Sequence, residues 1–148
     1  MKSAPLLLLI GLGAFSGVAQ AYDSLEALQE AFMDALRSEN ANAIADCYAQ
    51  DADNFPLDAM KGKGPDSARQ SWAGFFEQFD VVSAELSEQQ MVRSGDLAAA
   101  WGLFTVIARP AGGGELVTLV GRYMDVAEPV DGRWLYIADH ASMPITGE

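Results

Sequence analysis

The chain has 148 residues, 50% of them hydrophobic, with 9 basic and 21 acidic side chains and a formal net charge of −12 at pH 7. A surface of that sign repels nucleic-acid phosphates and anionic lipid headgroups, so neither nucleic acid nor membrane is expected as a partner. One cysteine and one histidine allow no internal disulfide and make a zinc site, which would have to be mostly carboxylate, unexpected; no metal and no cofactor are implied.

Residues 1–21 have the three parts of a secretory signal peptide: a positive start at Lys2, an apolar core over 6–18, and an A-x-A cleavage site at Ala19-Gln20-Ala21. No cysteine stands directly after that site, where Tyr22 follows, which argues against a lipid anchor. Residues 22–148 are then the expected mature chain, one domain with one core, periplasmic or secreted.

Asp23, with Glu26 three residues on, has the form of a capping box. Leu25, Leu28, Phe32 and Leu36 follow at helical spacing, which predicts a first helix to about Glu39. Asn40 is placed to cap a short second helix carrying Ile44, Cys47 and Tyr48. Cys47 reads as a small buried side chain. Residues 50–57 have poor helix signals and suit a short strand. Lys61-Gly62-Lys63-Gly64 reads as a turn, and Pro65 suits the first position of a third helix. Ala68, Trp72, Phe75, Phe76 and Phe79 give that helix an aromatic face.

From Asp80 the period changes to two. Strands are predicted through Val92, over 97–109, over 115–128 and over 133–141, joined by turns at Ser94-Gly95-Asp96, at a Pro-Ala-Gly-Gly-Gly loop from Pro110, and at Val130-Asp131-Gly132. Helices first and strands after argue an α+β fold with a mainly antiparallel sheet. The second strand is apolar on both faces, so both faces need cover. Helices can supply one; a second copy of the chain, in a homodimer, is the expected cover of the other.

This order, the YAQDAD run at Tyr48–Asp53, the GRYMDV strand from Gly121, and the DGRW turn leading from Asp131 to the DHASMP stretch at Asp139 resemble the nuclear transport factor 2-like superfamily, in particular its SnoaL-like branch. The resemblance covers the mature chain. It implies a cone-shaped, cystatin-like fold of three N-terminal helices on a curved sheet, enclosing an apolar pocket. Because that fold hosts isomerases, dehydratases, cyclases and non-catalytic binders, the resemblance implies no single reaction. The function it implies is an exported domain that binds a small apolar or amphipathic molecule. The alternative is a cofactor-independent isomerase, dehydratase or cyclase using pocket carboxylates.

Neighbours on a strand face opposite ways, so Asp139 and His140 do not form a dyad. A two-residue Asp131-Gly132 turn pairs Asp139 with Met124; a three-residue turn with Gly132 in a bulge pairs it with Tyr123. The resemblance favours the second, since a polar residue at the position matching Asp125 faces the pocket in similar folds. Tyr123, Asp125, Leu135, Ile137 and Asp139 are then expected on the concave face, and Arg122, Trp134, Tyr136 and His140 on the convex one. Asp125 and Asp139, with Tyr123, are the catalytic candidates: burial and mutual repulsion let one carboxyl stay protonated while the other accepts. The plainer alternative has both carboxylates bonded to hydroxyls or loop amides at the rim. Tyr48, Phe55, Trp72, Phe76, Trp101 and His140 are the candidate ligand-binding residues, against the alternative that the aromatics fill the core and His140 packs near the dimer surface.

Overall fold

The computed structural model describes residues 22–57 and 59–144; the signal-peptide expectation lies outside these residues. Helix α1 (Leu25–Arg37) is followed by α2 (Ala41–Ala45), β1 (Tyr48–Phe55), β2 (Gly62–Lys63), α3 (Gly64–Gln78), β3 (Phe79–Ser94), β4 (Leu97–Pro110), β5 (Val117–Val130) and β6 (Arg133–Ser142). The fold is α+β, with the helices on the concave side of one curved, unclosed sheet.

The cap of α1 is Ser24, one residue later than the sequence suggested: its hydroxyl accepts from the Ala27 amide. Asn40 does cap α2, accepting from the Ala43 amide. That helix ends before Cys47, which is fully buried, and Tyr48 opens β1 instead of extending the helix. Burial pushes the Cys47 thiol up to about 12, so it is an inert core side chain. Pro65 lies in the first turn of α3, where its missing N–H costs no hydrogen bond.

The strand order is β2-β1-β6-β5-β4-β3. Chain-neighbouring pairs from β3 to β6 are antiparallel, while β1 runs parallel to β6 and pairs antiparallel with β2. The sheet therefore has two more strands than the four long ones legible by alternation: residues 62–63, read as a turn, form β2, and β1 makes β6 an interior strand. Phe79, read as the end of the helical stripe, is already in β3. Register shifts at Val82 and around Glu88, which has φ 50°, interrupt β3 and bend the sheet over α1 and α3.

The β5–β6 connection corrects both sequence-based registers. Asp131 (φ 50°) and Gly132 (φ 82°) form a two-residue turn closed by Val130 opposite Arg133, the geometry that matches strand twist. The register then slips by one at a bulge, because Ala127 faces Tyr136 while Val126 faces Ala138, leaving Ile137 unpaired. Asp139 consequently lies opposite Asp125, neither Met124 nor Tyr123. The slip also turns Tyr136 onto the concave side, where the sequence placed Ile137.

Two close approaches complete the inner face. Gly102 lies opposite Tyr123 and Gly121 opposite Phe104 across β4 and β5. A Cβ at Gly102 would stand 3.1 Å from the Tyr123 ring, and one at Gly121 would stand 2.3 Å from the Phe104 ring. Each glycine thus gives room for an aromatic ring to lie over the strand.

Candidate functional site

A cavity of about 340 Å³ lies between α1, α3 and the concave face of the sheet. Its walls are largely apolar and aromatic, with Phe32 and Met33 from α1, Trp72 and Phe75 from α3, and Phe104 and Val106 from β4. Phe32 meets Trp72 edge to face at 5.7 Å and Tyr136 at 6.0 Å. These contacts hold the rings open around the space by favourable quadrupole geometry.

The polar groups collect at one end. Asp125 on β5 and Asp139 on β6 are cross-strand neighbours on the same face. Asp125 is only 8% exposed, and its Oδ2 accepts from the Gln29 side-chain amide at 3.3 Å. Asp139 has more surface, but that surface faces the cavity and the carboxyl is surrounded by protein. The Tyr48 hydroxyl donates a short hydrogen bond to Asp139 Oδ2.

Burial raises both carboxyls above the ordinary carboxylate range. Asp125 is raised further by the Asp139 charge beside it, with the Gln29 amide opposing. Asp139 is restrained by the Tyr48 hydroxyl and by a hydrogen bond from Asp125, with His140 helping. These causes favour ionisation more at Asp139 than at Asp125, so a single proton held by the pair is expected on Asp125. Burial, then the Asp139 charge, keeps the Tyr48 phenol neutral and able to donate.

Tyr123 stands next to the pair. Its hydroxyl is buried and makes no hydrogen bond of normal geometry to any described residue. The Gln29 and Gln89 amides approach it closely enough to offset part of the upward push that burial gives its pKa. It is a donor facing the cavity, available to a ligand oxygen.

The structure thus gathers Asp125, Asp139, Tyr123, Tyr48 and Trp72 around one cavity. Four other candidates are not on its walls. Phe76 packs behind Trp72 and Phe75, at ring distances of 5.9 Å from each. Trp101, Phe55 and His140 are on the convex side: Trp101 faces Met124, Met124 faces His140, and His140 faces Phe55 in one cross-strand row. The Phe55 and His140 rings touch edge to face at 6.1 Å. Strand parity places the row there: Ala98, Ala100, Val106 and Ala108 are the buried positions of β4, and Trp101 alternates with them. Among the described residues no three or more metal-ligating side chains come together.

Residues 29–137 match the family model for the SnoaL-like domain. The chain belongs to the SnoaL-like domain family. No functionally curated protein matches it. Among solved structures, this SnoaL-like domain is similar to an NTF2-like protein of unknown function from Pseudomonas putida, with 25% identity, TM-score 0.67 and coverage of 83% of this chain and 86% of that one. It is also similar to a ketosteroid isomerase-like protein from Erwinia carotovora atroseptica, with 17% identity, TM-score 0.68 and coverage of 79% and 91%. A provisionally assigned scytalone dehydratase from Novosphingobium aromaticivorans superposes with TM-score 0.73 at 18% identity over 81% of each chain. These likenesses establish the NTF2-like fold for the SnoaL-like domain and leave its chemistry to its own side chains.

Gln29, Asn54 and Tyr136 are polar members of the site that were not among the candidates from the sequence. Gln29 sits on the buried side of α1, four residues after Leu25, where its polarity on an apolar stripe is itself a signal. Tyr136 reaches the cavity only because of the bulge at Ile137, for which no glycine or other marker appears nearby.

Proposed function

We propose that this SnoaL-like domain binds one small, mostly apolar ring molecule whose oxygen-bearing end meets Asp125, Asp139 and Tyr123. The observation that carries this reading is the cavity itself: apolar and aromatic walls with a few convergent polar groups at one end, the form that small-molecule sites take. The test is titration of the purified protein with the neutral probe N-phenyl-naphthylamine, followed by fluorescence. One probe per chain is expected, lost when Ala68→Phe fills the cavity without unfolding the domain. A protein that binds no probe, or an Ala68→Phe variant that binds it undiminished, contradicts the reading.

A second reading is favoured by the paired carboxylates. Asp139, ionised, is placed to take a proton from a carbon next to a ligand carbonyl. Tyr123 can donate to the oxyanion that forms, and the pair can return the proton to carbon in an isomerisation or to the departing hydroxyl in a dehydration. Isomerisation through an enol, or loss of water from a β-hydroxy ketone, needs no oxidant and no cofactor under this scheme. The similar folds of a ketosteroid isomerase-like protein and a provisionally assigned dehydratase are compatible with it. Deuterium exchange next to the carbonyl of a tetralone, followed by NMR, should be faster than in buffer and should fall to the buffer rate in folded Asp139→Asn. Exchange no faster than buffer would remove the support for catalysis on such ketones.

The same reading includes export to the periplasm or exterior, supported by the leader-like residues 1–21. It also includes a homodimer through the convex face, supported by Trp101 at 38% and Met124 at 52% exposure on adjacent strands. Sedimentation of the mature chain should give a dimer, and Trp101→Glu a monomer; a monomeric wild type contradicts the dimer.

A further inference from the structure

Beside Gln29, which is paired with Asp125, Asn54 is a polar side chain of the cavity wall that lies as deep as Asp125. It is 5% exposed, and neither its amide nitrogen nor its amide oxygen makes a hydrogen bond to any described residue. Buried amides are almost always paired, so an unpaired one in a cavity wall points to a partner that arrives with the ligand. Its position is specific. In the parallel β1–β6 pairing Asn54 lies beside Asp139, and Asp139 lies beside Asp125, so the three form one row across the inner face. Adjacent strands are about 4.8 Å apart, so the Asn54 backbone is roughly one strand spacing from that of Asp139.

The backbone around it is arranged to hold this amide. Gly62 on β2 is the register partner of Asn54. A Cβ at Gly62 would stand 2.1 Å from Asn54 Oδ1 and 1.9 Å from Ser67 Oγ. Only a residue without a side chain leaves the amide where it is.

We propose that Asn54 is a specificity-determining ligand contact, which selects molecules carrying a second polar group next to the one read by the carboxylate pair. Its amide offers a donor and an acceptor in one plane, and a hydroxyl can answer both. The ligand class is thus narrowed from an apolar ring with one oxygen to a ring with two oxygen substituents on one edge. A singly oxygenated analogue leaves the amide unpaired in the cavity wall, which is how a polar site rejects a ligand lacking the group. This inference rests on the cavity being a ligand site.

The test is calorimetric titration of the mature protein with naphthol and with a series of dihydroxynaphthalenes of different oxygen spacing. At least one diol should bind about 10-fold or more tightly than naphthol. In Asn54→Leu, checked for native circular dichroism, that preference should vanish while naphthol affinity stays within a few-fold. Gly62→Ala, which displaces the amide from a neighbouring residue, should give the same loss and carries the test alone if Asn54→Leu does not fold. A preference that survives in either folded variant overturns the proposal. So does naphthol binding with no diol preferred, which leaves the cavity reading intact. Binding of neither compound overturns the proposal together with that reading.

Discussion

Replacing Tyr48 by Phe removes one oxygen and leaves the ring, which is 3% exposed and held between Phe32 at 6.4 Å and Tyr136 at 5.5 Å. The change therefore creates no cavity of note, and its cost isolates the hydrogen bond to Asp139. A hydrogen bond to a charged acceptor contributes about 1.5–3 kcal/mol, against about 0.5–1.5 kcal/mol for a neutral one. For a domain of this size the larger figure corresponds to a fall in Tm of about 5–15 °C. The sign with pH follows from the state of Asp139. The Tyr48 bond favours the ionised carboxyl, so its full contribution is present at high pH and shrinks as pH falls through the raised folded-state pKa of Asp139. The difference in Tm between wild type and Tyr48→Phe should thus be large at pH 8 and reduced at pH 4. In an Asp139→Asn background it should take the small value at both. Thermal unfolding followed by circular dichroism measures all four proteins. A cost that is the same at both pH values, or that persists unchanged with Asn at 139, would refute the assignment of Tyr48 as donor to an ionised Asp139.

Two further outcomes follow from the same geometry. Asp125 has a folded pKa raised above its unfolded value, so its contribution to stability is complete below the unfolded carboxylate range, near pH 3.9 in model peptides, and is lost as pH rises through the folded pKa. Asp125→Asn, which cannot ionise, should be more stable than wild type at pH 8 and lose that advantage toward pH 4, read as denaturant midpoints; equal midpoints at pH 8 would contradict the raised pKa. Gly121→Ala should cost about 1–3 kcal/mol by overpacking, because its Cβ would meet the Phe104 ring at 2.3 Å and the Ser142 carbonyl at 2.6 Å, and the backbone oxygen has little freedom to move; a neutral urea midpoint would show that the ring and strand yield more easily than their packing suggests.

How much of this was legible in the residues depends on which physical signal each position carries. The α1 stripe and the period-two run after Asp80 announce the helix-then-strand order, because burial of one face imposes those periods. The shared inward face of Asp125 and Asp139 was also legible, yet by a register that does not occur. The turn is the two-residue form, and the bulge at Ile137 restores the inward facing of Asp139, opposite Asp125 instead of Tyr123. Bulges depend on strand coiling and leave little trace in local sequence, which is why Tyr136 was assigned to the wrong face. Trp101 illustrates a different loss. The run from Leu97 to Phe104 is apolar on both parities, so hydrophobic alternation carries no information about which side the tryptophan takes. Asn54 and Gln29 were readable in principle as polar residues on buried parities, Asn54 two residues after buried Ala52 and Gln29 on the apolar stripe. Reading them required knowing that the space beside them is hollow, a property of three elements together that none shows alone.

The central claim is that Asp125 and Asp139 share one proton at the polar end of an apolar cavity. Carbon-detected NMR of the aspartate carboxyl groups across a pH titration, assigned with Asp125→Asn and Asp139→Asn, tests it most directly. One carboxyl of the pair should remain protonated well above the range in which the surface aspartates ionise, and Asp139→Asn should lower the pKa of Asp125 by removing the charge beside it. Both carboxyls ionising together with the surface aspartates would contradict it.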